Sequence, residues 1–250
     1  MNVKNFTRRE AIQISLLTVL STISGCKNLD QKHILAAFKG NLPSKFIRVL
    51  PTSWKFKLID PESKNFSFRD LIKDEASLIA INDGWLSSLR DEWLVPFPNI
   101  GKIKVFDNQA KLFVDGFDKK FANKILPIAV SPWVMIFRNG ENWFEEANRS
   151  WDVLLNSNLK DSIVLPNSPR LVISLAQKMS DPLALEKIRS QCNIYDDQNA
   201  LNWLLGGKVS VVVLPLVSCW KSLISDPRLS AILPDTGAPL SWTVLVRSLN

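Results

Sequence analysis

The chain carries a single histidine, His33, among its 250 residues. A Ser-His-acid catalytic set therefore has one possible base, and that base lies close to the N-terminus. Cysteine is nearly as scarce, with Cys26, Cys192 and Cys219 alone. Their spacing matches no metal-ligand pattern, and His33 is far from the latter two, so a zinc site is not expected. No Gly-rich phosphate loop and no dinucleotide glycine fingerprint occurs, so neither a cofactor nor an enzymatic activity is expected. Lys and Arg are scattered rather than gathered into a stripe, which argues against a nucleic-acid partner. After residue 26 no segment is long and apolar enough to cross a bilayer. Internal repeats and low-complexity stretches are also lacking.

What is present is a globular composition, 46% hydrophobic and 22% charged. That length holds one large domain or two modest ones, each with a proper core. The formal charge of +7 is partly an N-terminal property. Lys4, Arg8, Arg9 and Glu10 contribute +2, so a mature chain from Cys26 would carry +5. Cys192 and Cys219 could pair in an oxidising compartment or stand as two separate buried thiols; spacing alone leaves both open.

The first 26 residues read as an address. Lys4, Arg8 and Arg9 form a positive region, and Ala11–Ile23 is an uncharged, mostly apolar run of the length of a signal-peptide core. Thr7-Arg8-Arg9 resembles a twin-arginine export signal. Ile23-Ser24-Gly25-Cys26 resembles a lipobox, in which the Cys26 thiol is lipidated and becomes the mature N-terminus. Residues 1–25 are thus expected to be removed, leaving a lipoprotein tethered to a membrane with its globular part outside the cytoplasm.

Along the rest of the chain, periodicity predicts helices over Ile34–Lys39 and Pro43–Leu50, then a half-exposed strand over Trp54–Ile59. A short helix at Phe68–Lys73 precedes an apolar strand, Ser77–Ile81, which ends at Asn82-Asp83-Gly84 and continues with helical spacing over Trp85–Glu92. Leu126–Arg138 is a long β-rich segment. Helices are expected at Trp143–Asn148, at Ser150–Asn156 with Ser150 as N-cap, at Ser168–Lys178 with Pro169 in its first turn, at Asp181–Ser190, at Asp197–Leu205 and at Ser218–Ser225. Strands fall at Ser162–Pro166, Val209–Leu214, Ala231–Leu233 and Ser241–Val246, and Gly206-Gly207 is a helix stop. Strands alternating with helices imply an α/β fold that binds at its strand ends.

Several of these stretches together resemble a family. Leu126-Pro127-Ile128, Ser150-Trp151-Asp152-Val153-Leu154-Leu155, Lys160 to Pro166, Ser168-Pro169-Arg170, Gly207-Lys208-Val209, and Leu233 to Gly237 with Trp242 occur in the order seen in the spermidine/putrescine-type periplasmic binding proteins of bacterial ABC importers. Ser77–Trp85 followed by Glu92-Trp93-Leu94 is similar to that family's first-lobe strand, turn and helix. The resemblance covers most of residues 34–247. It implies a two-lobe, type II-like periplasmic-binding-protein fold: lobe one from 26–127 plus 235–250, lobe two from 128–234. It also implies a monomer that closes on a small polyamine-like solute and delivers it to an ABC permease. The chain stops soon after the return strand, so lobe one is expected to lack the family's last helices.

Two departures bear on the ligand. Where the family pattern is Asp-Asp-x-Arg-Glu, this chain has Asn167-Ser168-Pro169-Arg170-Leu171, and the Trp-x-Asp after the return strand becomes Trp242-Thr243-Val244. An ammonium held in a partly dry cleft needs a carboxylate or an aromatic face. Asp83 is the remaining candidate acid, with Trp85, Trp133 and Trp242 as candidate walls and Ser131 beside Trp133. Asn82 and Asp83 follow a buried strand and suit either a turn or a ligand. Ser168 suits either a helix cap or a ligand oxygen. Trp151 is expected in the core, and Trp220 at the start of a helix is a lesser candidate. A different solute, neutral or anionic, and a structural lipoprotein that has lost its ligand remain alternatives.

Overall fold

The computed structural model describes residues 33–42, 44–61, 63, 66–73, 76–98, 108–140 and 142–249. The expected export signal and the lipidation cysteine Cys26 lie outside the described residues. Strands are β1 (His33–Phe38), β2 (Trp54–Ile59), β3 (Ala76–Asn82), β4 (Ile125–Arg138), β5 (Ile163–Leu165), β6 (Ile194–Tyr195), β7 (Val211–Pro215), β8 (Leu229–Ile232) and β9 (Leu240–Arg247). Helices are α1 (Ser44–Ile47), α2 (Phe68–Lys73), α3 (Asn108–Asp115), α4 (Lys119–Ala122), α5 (Phe144–Arg149), α6 (Pro169–Ala176), α7 (Ala184–Gln191), α8 (Ala200–Leu205) and α9 (Leu216–Ser225). The chain forms two compact units: one takes residues up to Val130 and from Trp242 onward, the other Ser131–Ser241.

In the first unit the strand order is β2-β1-β3-β9. β1 pairs in parallel with both β2 and β3, and β9 runs antiparallel to β3. The helix expected over Ile34–Lys39 is therefore a strand. Leu35, Ala36, Ala37 and Phe38 are all buried, as a strand flanked on both sides and covered on both faces requires. Helix-favouring Leu and Ala misled the local reading, because pairing with two distant strands outweighs propensity. β2 has the predicted wet face, with Lys55 and Lys57 exposed and Trp54 and Ile59 buried. Leu35, Trp54, Leu78, Leu126 and Leu245 close one core. After β3 the chain forms two 3₁₀ turns, Asp83–Ser88 and Asp91–Trp93, in place of the expected helix.

In the second unit the order is β4-β7-β5-β6, with β8 also on β4. β5, β6 and β7 are parallel, and β4 is antiparallel to β7. The alternation of β4 divides its side chains between two clusters. Trp133, Met135 and Phe137 join Trp151, Leu154, Ile163 and Val211. Val134 and Ile136 join Val164, Val212, Leu204 and Cys219. Trp151 is fully buried, and its indole Nε1 donates to the Gly237 carbonyl at 2.7 Å. A buried indole N–H needs such a partner. Gly237 adopts φ +77°, a conformation cheap for glycine alone. Ser150 caps the 3₁₀ turn Trp151–Leu155 by accepting from the Asp152 amide. α8 ends as predicted at Gly206-Gly207: the Lys208 amide reaches the Trp203 carbonyl and the Gly207 amide reaches that of Leu204, both at 3.0 Å. Cys192 and Cys219 are separate buried thiols.

Candidate functional site

Parallel strands place the loops that follow them at one end of a sheet, where open α/β sheets bind ligands. In the first unit β3 ends at Asn82, which pairs with Thr243. Asp83 follows on the 3₁₀ turn, and its Oδ1 accepts from the Trp242 backbone amide at 3.3 Å. Asn82, Asp83 and Trp242 are thereby gathered at the carboxyl end of β3. Asn82 precedes the turn without making a side-chain cap bond. Trp242 is 7% exposed, and one face of its indole is stacked against Phe113 of α3, with ring centroids 4.7 Å apart and an interplanar angle of 21°. Trp85 belongs to a different group. Its ring meets Phe38, Phe66 and Phe68 edge-on, at centroid distances of 5.5, 6.0 and 5.9 Å. These rings pack on one another and leave no cage between them.

In the second unit β5, β6 and β7 end at Leu165, Tyr195 and Pro215. Trp133 pairs with Pro215, so Ser131 and Trp133 on β4 share that end of the sheet with Ser168, which opens α6. The roles differ from those expected. Pro215 precedes α9 and has no side-chain oxygen; Ser131 Oγ instead accepts from the Val217 amide at 3.0 Å, capping α9 from a neighbouring strand. Trp133 is 9% exposed and packs with the core; its own amide donates to the Pro239 carbonyl. Ser168 stands before α6 in extended conformation, and its side chain makes no cap bond. Of the two roles it suits, the hydroxyl cap is not made; the Leu171 amide bonds the Ser168 carbonyl instead. Trp220 on α9 is 54% exposed.

Sequence reasoning missed one contributor. The corner Asn167–Leu171 contains no acid, yet Asp197 reaches it from the loop after β6, its Oδ2 accepting from the Asn167 amide at 3.3 Å. Asp196 fixes this loop. Its amide bonds the Leu165 carbonyl, and its carboxylate accepts from the Gln198 and Asn199 amides at 2.8 Å and from Trp203 Nε1 at 3.1 Å. Partial desolvation opposes its ionisation, but these bonds outweigh it and hold the carboxyl below the usual carboxylate range. The two-residue pairing of β6 with β5 creates this neighbourhood, and a strand that short leaves no period in the sequence.

A surface groove of about 530 Å³, lined by Leu183, Leu185, Glu186, Arg189, Cys192 and Tyr195 among others, contains none of the expected residues. Among the described residues no cluster of His, Cys, Asp and Glu could hold a metal ion. None of their helices is long and apolar enough to cross a membrane.

No family model matches the sequence, and no curated protein does. Solved structures do match. A spermidine/putrescine ABC transporter substrate-binding protein from Streptococcus pneumoniae aligns with a TM-score of 0.58 at 16% identity, over 88% of this chain and 73% of that one. A ferric binding protein from Campylobacter jejuni aligns with a TM-score of 0.58 at 12% identity, over 86% and 75%. A periplasmic thiamin binding protein aligns with a TM-score of 0.61 at 12% identity, over 90% and 75%. The fold is therefore the mixed α/β fold of the two-lobe periplasmic binding proteins. The three named proteins bind chemically unlike solutes on it, so the fold fixes no ligand.

Proposed function

We propose that this chain is an extracytoplasmic solute-binding protein that delivers a small solute to an ABC permease, and that it is of the polyamine type by descent. One observation carries the reading: in each unit, residues singled out from sequence gather at the carboxyl ends of parallel strands. Asn82, Asp83 and Trp242 do so in the first unit; Ser131, Trp133 and Ser168 do so in the second. Binding proteins among the fold relatives support it. In this reading Asp83 supplies negative charge and Trp242 supplies an apolar wall for methylene segments. In the same reading the lipobox-like sequence supplies an acyl anchor at Cys26, with the globular part in the periplasm.

A second reading, a neutral or anionic solute, is favoured by the run Asn167–Leu171, which has no acid of its own and engages the Asp197 carboxylate through the Asn167 amide, and by the two buried candidate walls. Thermal shift against spermidine, putrescine, amino acids and inorganic anions separates the two. A ligand at one hundred times its Kd stabilises by about 2.7 kcal/mol, a shift of several degrees. A shift with polyamines alone supports the first reading, and one with another class alone supports the second. No shift with any class would leave the solute-binding proposal without support and favour an interaction lipoprotein. Anchoring is tested separately: Cys26→Ser should abolish incorporation of labelled fatty acid and leave residues 1–25 uncleaved.

A further inference from the structure

We propose that Phe113 is a built-in occupant of the Trp242 ring face, so that a solute reaches this indole only by displacing α3. The inference rests on the solute-binding reading and adds what selects the solute. The ring of Phe113 lies nearly parallel to that of Trp242 with centroids 4.7 Å apart. No third layer fits between rings at that distance. Trp242 is otherwise almost inaccessible, and its backbone is fixed where Asp83 accepts its amide hydrogen. The indole itself therefore has little freedom to turn toward a ligand, and the movable partner is the phenyl ring.

α3 buries few of its own side chains. Ala110 is the buried residue among its eight, and Leu112 is 73% exposed. Its other aromatic contact is edge-on, Phe113 to Phe117 at 5.3 Å, and Phe117 in turn meets Phe121 of α4 at 5.7 Å. The stack on Trp242 is one of the attachments of the helix.

The exchange has a chemical requirement. A solute must replace a flat ring-on-ring contact, which a fused or single ring or an extended methylene chain can do and a small inorganic ion cannot. Phe113 is in this sense a specificity-determining residue: it sets a threshold of apolar contact below which Trp242 stays covered. Binding that must first displace a competing group is weakened by the fraction of protein in which that group is absent. The specific part of a stacked aromatic pair corresponds to roughly 2- to 12-fold in affinity.

The test compares wild type with Phe113→Ala, Phe113→Leu and Trp242→Ala by calorimetry, using thiamin as the ring probe and spermidine as the chain probe. Phe113→Ala should bind whichever probe the wild type binds about 2- to 12-fold more tightly. Phe113→Leu should tighten less, and Trp242→Ala should lose binding. Saturating probe should also raise hydrogen exchange of the α3 amides, residues 108–115, in the wild type. If Phe113→Ala does not fold, Phe113→Leu and the exchange measurement decide. Equal or weaker binding by the folded Phe113 variants, or α3 exchange unchanged on binding, overturns this inference while leaving the solute-binding reading standing. No binding of either probe by wild type and folded variants overturns the inference for both chemical classes and counts against the polyamine reading too.

Discussion

Replacing Ser131 by alanine removes the acceptor for the Val217 amide, 3.0 Å away in the first turn of α9. Nothing local can take over, because the residue preceding the helix is Pro215 and its side chain has no oxygen. Val217 itself is 57% exposed, so water takes over part of the acceptor's role. Loss of a helix cap costs about 1 kcal/mol. An expected loss of about 0.5–1 kcal/mol follows. For a chain of this size that is roughly 1–4 °C in Tm. Urea unfolding followed by tryptophan fluorescence measures it as a lower midpoint at unchanged slope. Ser131→Thr, which keeps the hydroxyl, should recover part of the loss. A Ser131→Ala midpoint within about 0.3 kcal/mol of wild type would refute the cap. If solute binding fell in that stable variant, Ser131 would return to the list of ligand contacts.

Other outcomes follow from the same geometry. Trp151→Phe keeps the apolar packing but leaves the Gly237 carbonyl without its indole donor; a loss of about 1–3 kcal/mol in urea unfolding is expected. Gly237→Ala forces a Cβ into φ +77° and should cost about 1–2 kcal/mol, although nothing lies near the added carbon. Asp152 is partly desolvated, yet bonds from the Ser180 amide and hydroxyl and from Ser150 hold its carboxyl below the ordinary range. A carboxyl depressed in the folded state binds fewer protons there than when unfolded. Its stabilisation is present above the unfolded value of about 3.9 and fades as pH falls through the lower folded value. The urea midpoint should therefore drop from about pH 5 downward, less steeply in Asp152→Asn. Burial pushes the Cys219 thiol up to about 11 and raises that of Cys192 as well. In a Cys26→Ser protein at pH 8, a thiol reagent should label both only after denaturant is added.

Much of the second unit was legible because its signals are local. Ser150 caps the turn that holds Trp151, Pro169 opens α6, and Gly206-Gly207 stops α8, each within a few residues of the element it controls. β1 was not legible, since Ile34–Phe38 reads as a helix unless the strands on either side of it are known. The candidate site was legible by position and not by contact. Strand ends identified Asn82, Asp83 and Ser168 as residues at the right edge of a sheet, and Ser131 was picked out beside Trp133 in the long crossing segment. Their partners come from afar: Val217 for Ser131, Trp242 for Asp83, and Asp197 for Asn167. Separations of 86, 159 and 30 residues leave no trace in a local pattern. The same limit explains why Trp242 looked like an open wall, when Phe113 covers it from another helix.

The path of the chain through its two units has a consequence for biosynthesis. The second unit, Ser131–Ser241, is one uninterrupted stretch, whereas the first needs Trp242 and the rest of β9 alongside β3. A ribosome delivers β9 only after the whole of the second unit. The part of the protein made first is therefore the part completed last, its β3 waiting with an open edge while the later segment can already close its sheet. A chain arrested just before Trp242 should yield one finished unit and one exposed strand edge, a natural site for a chaperone to hold.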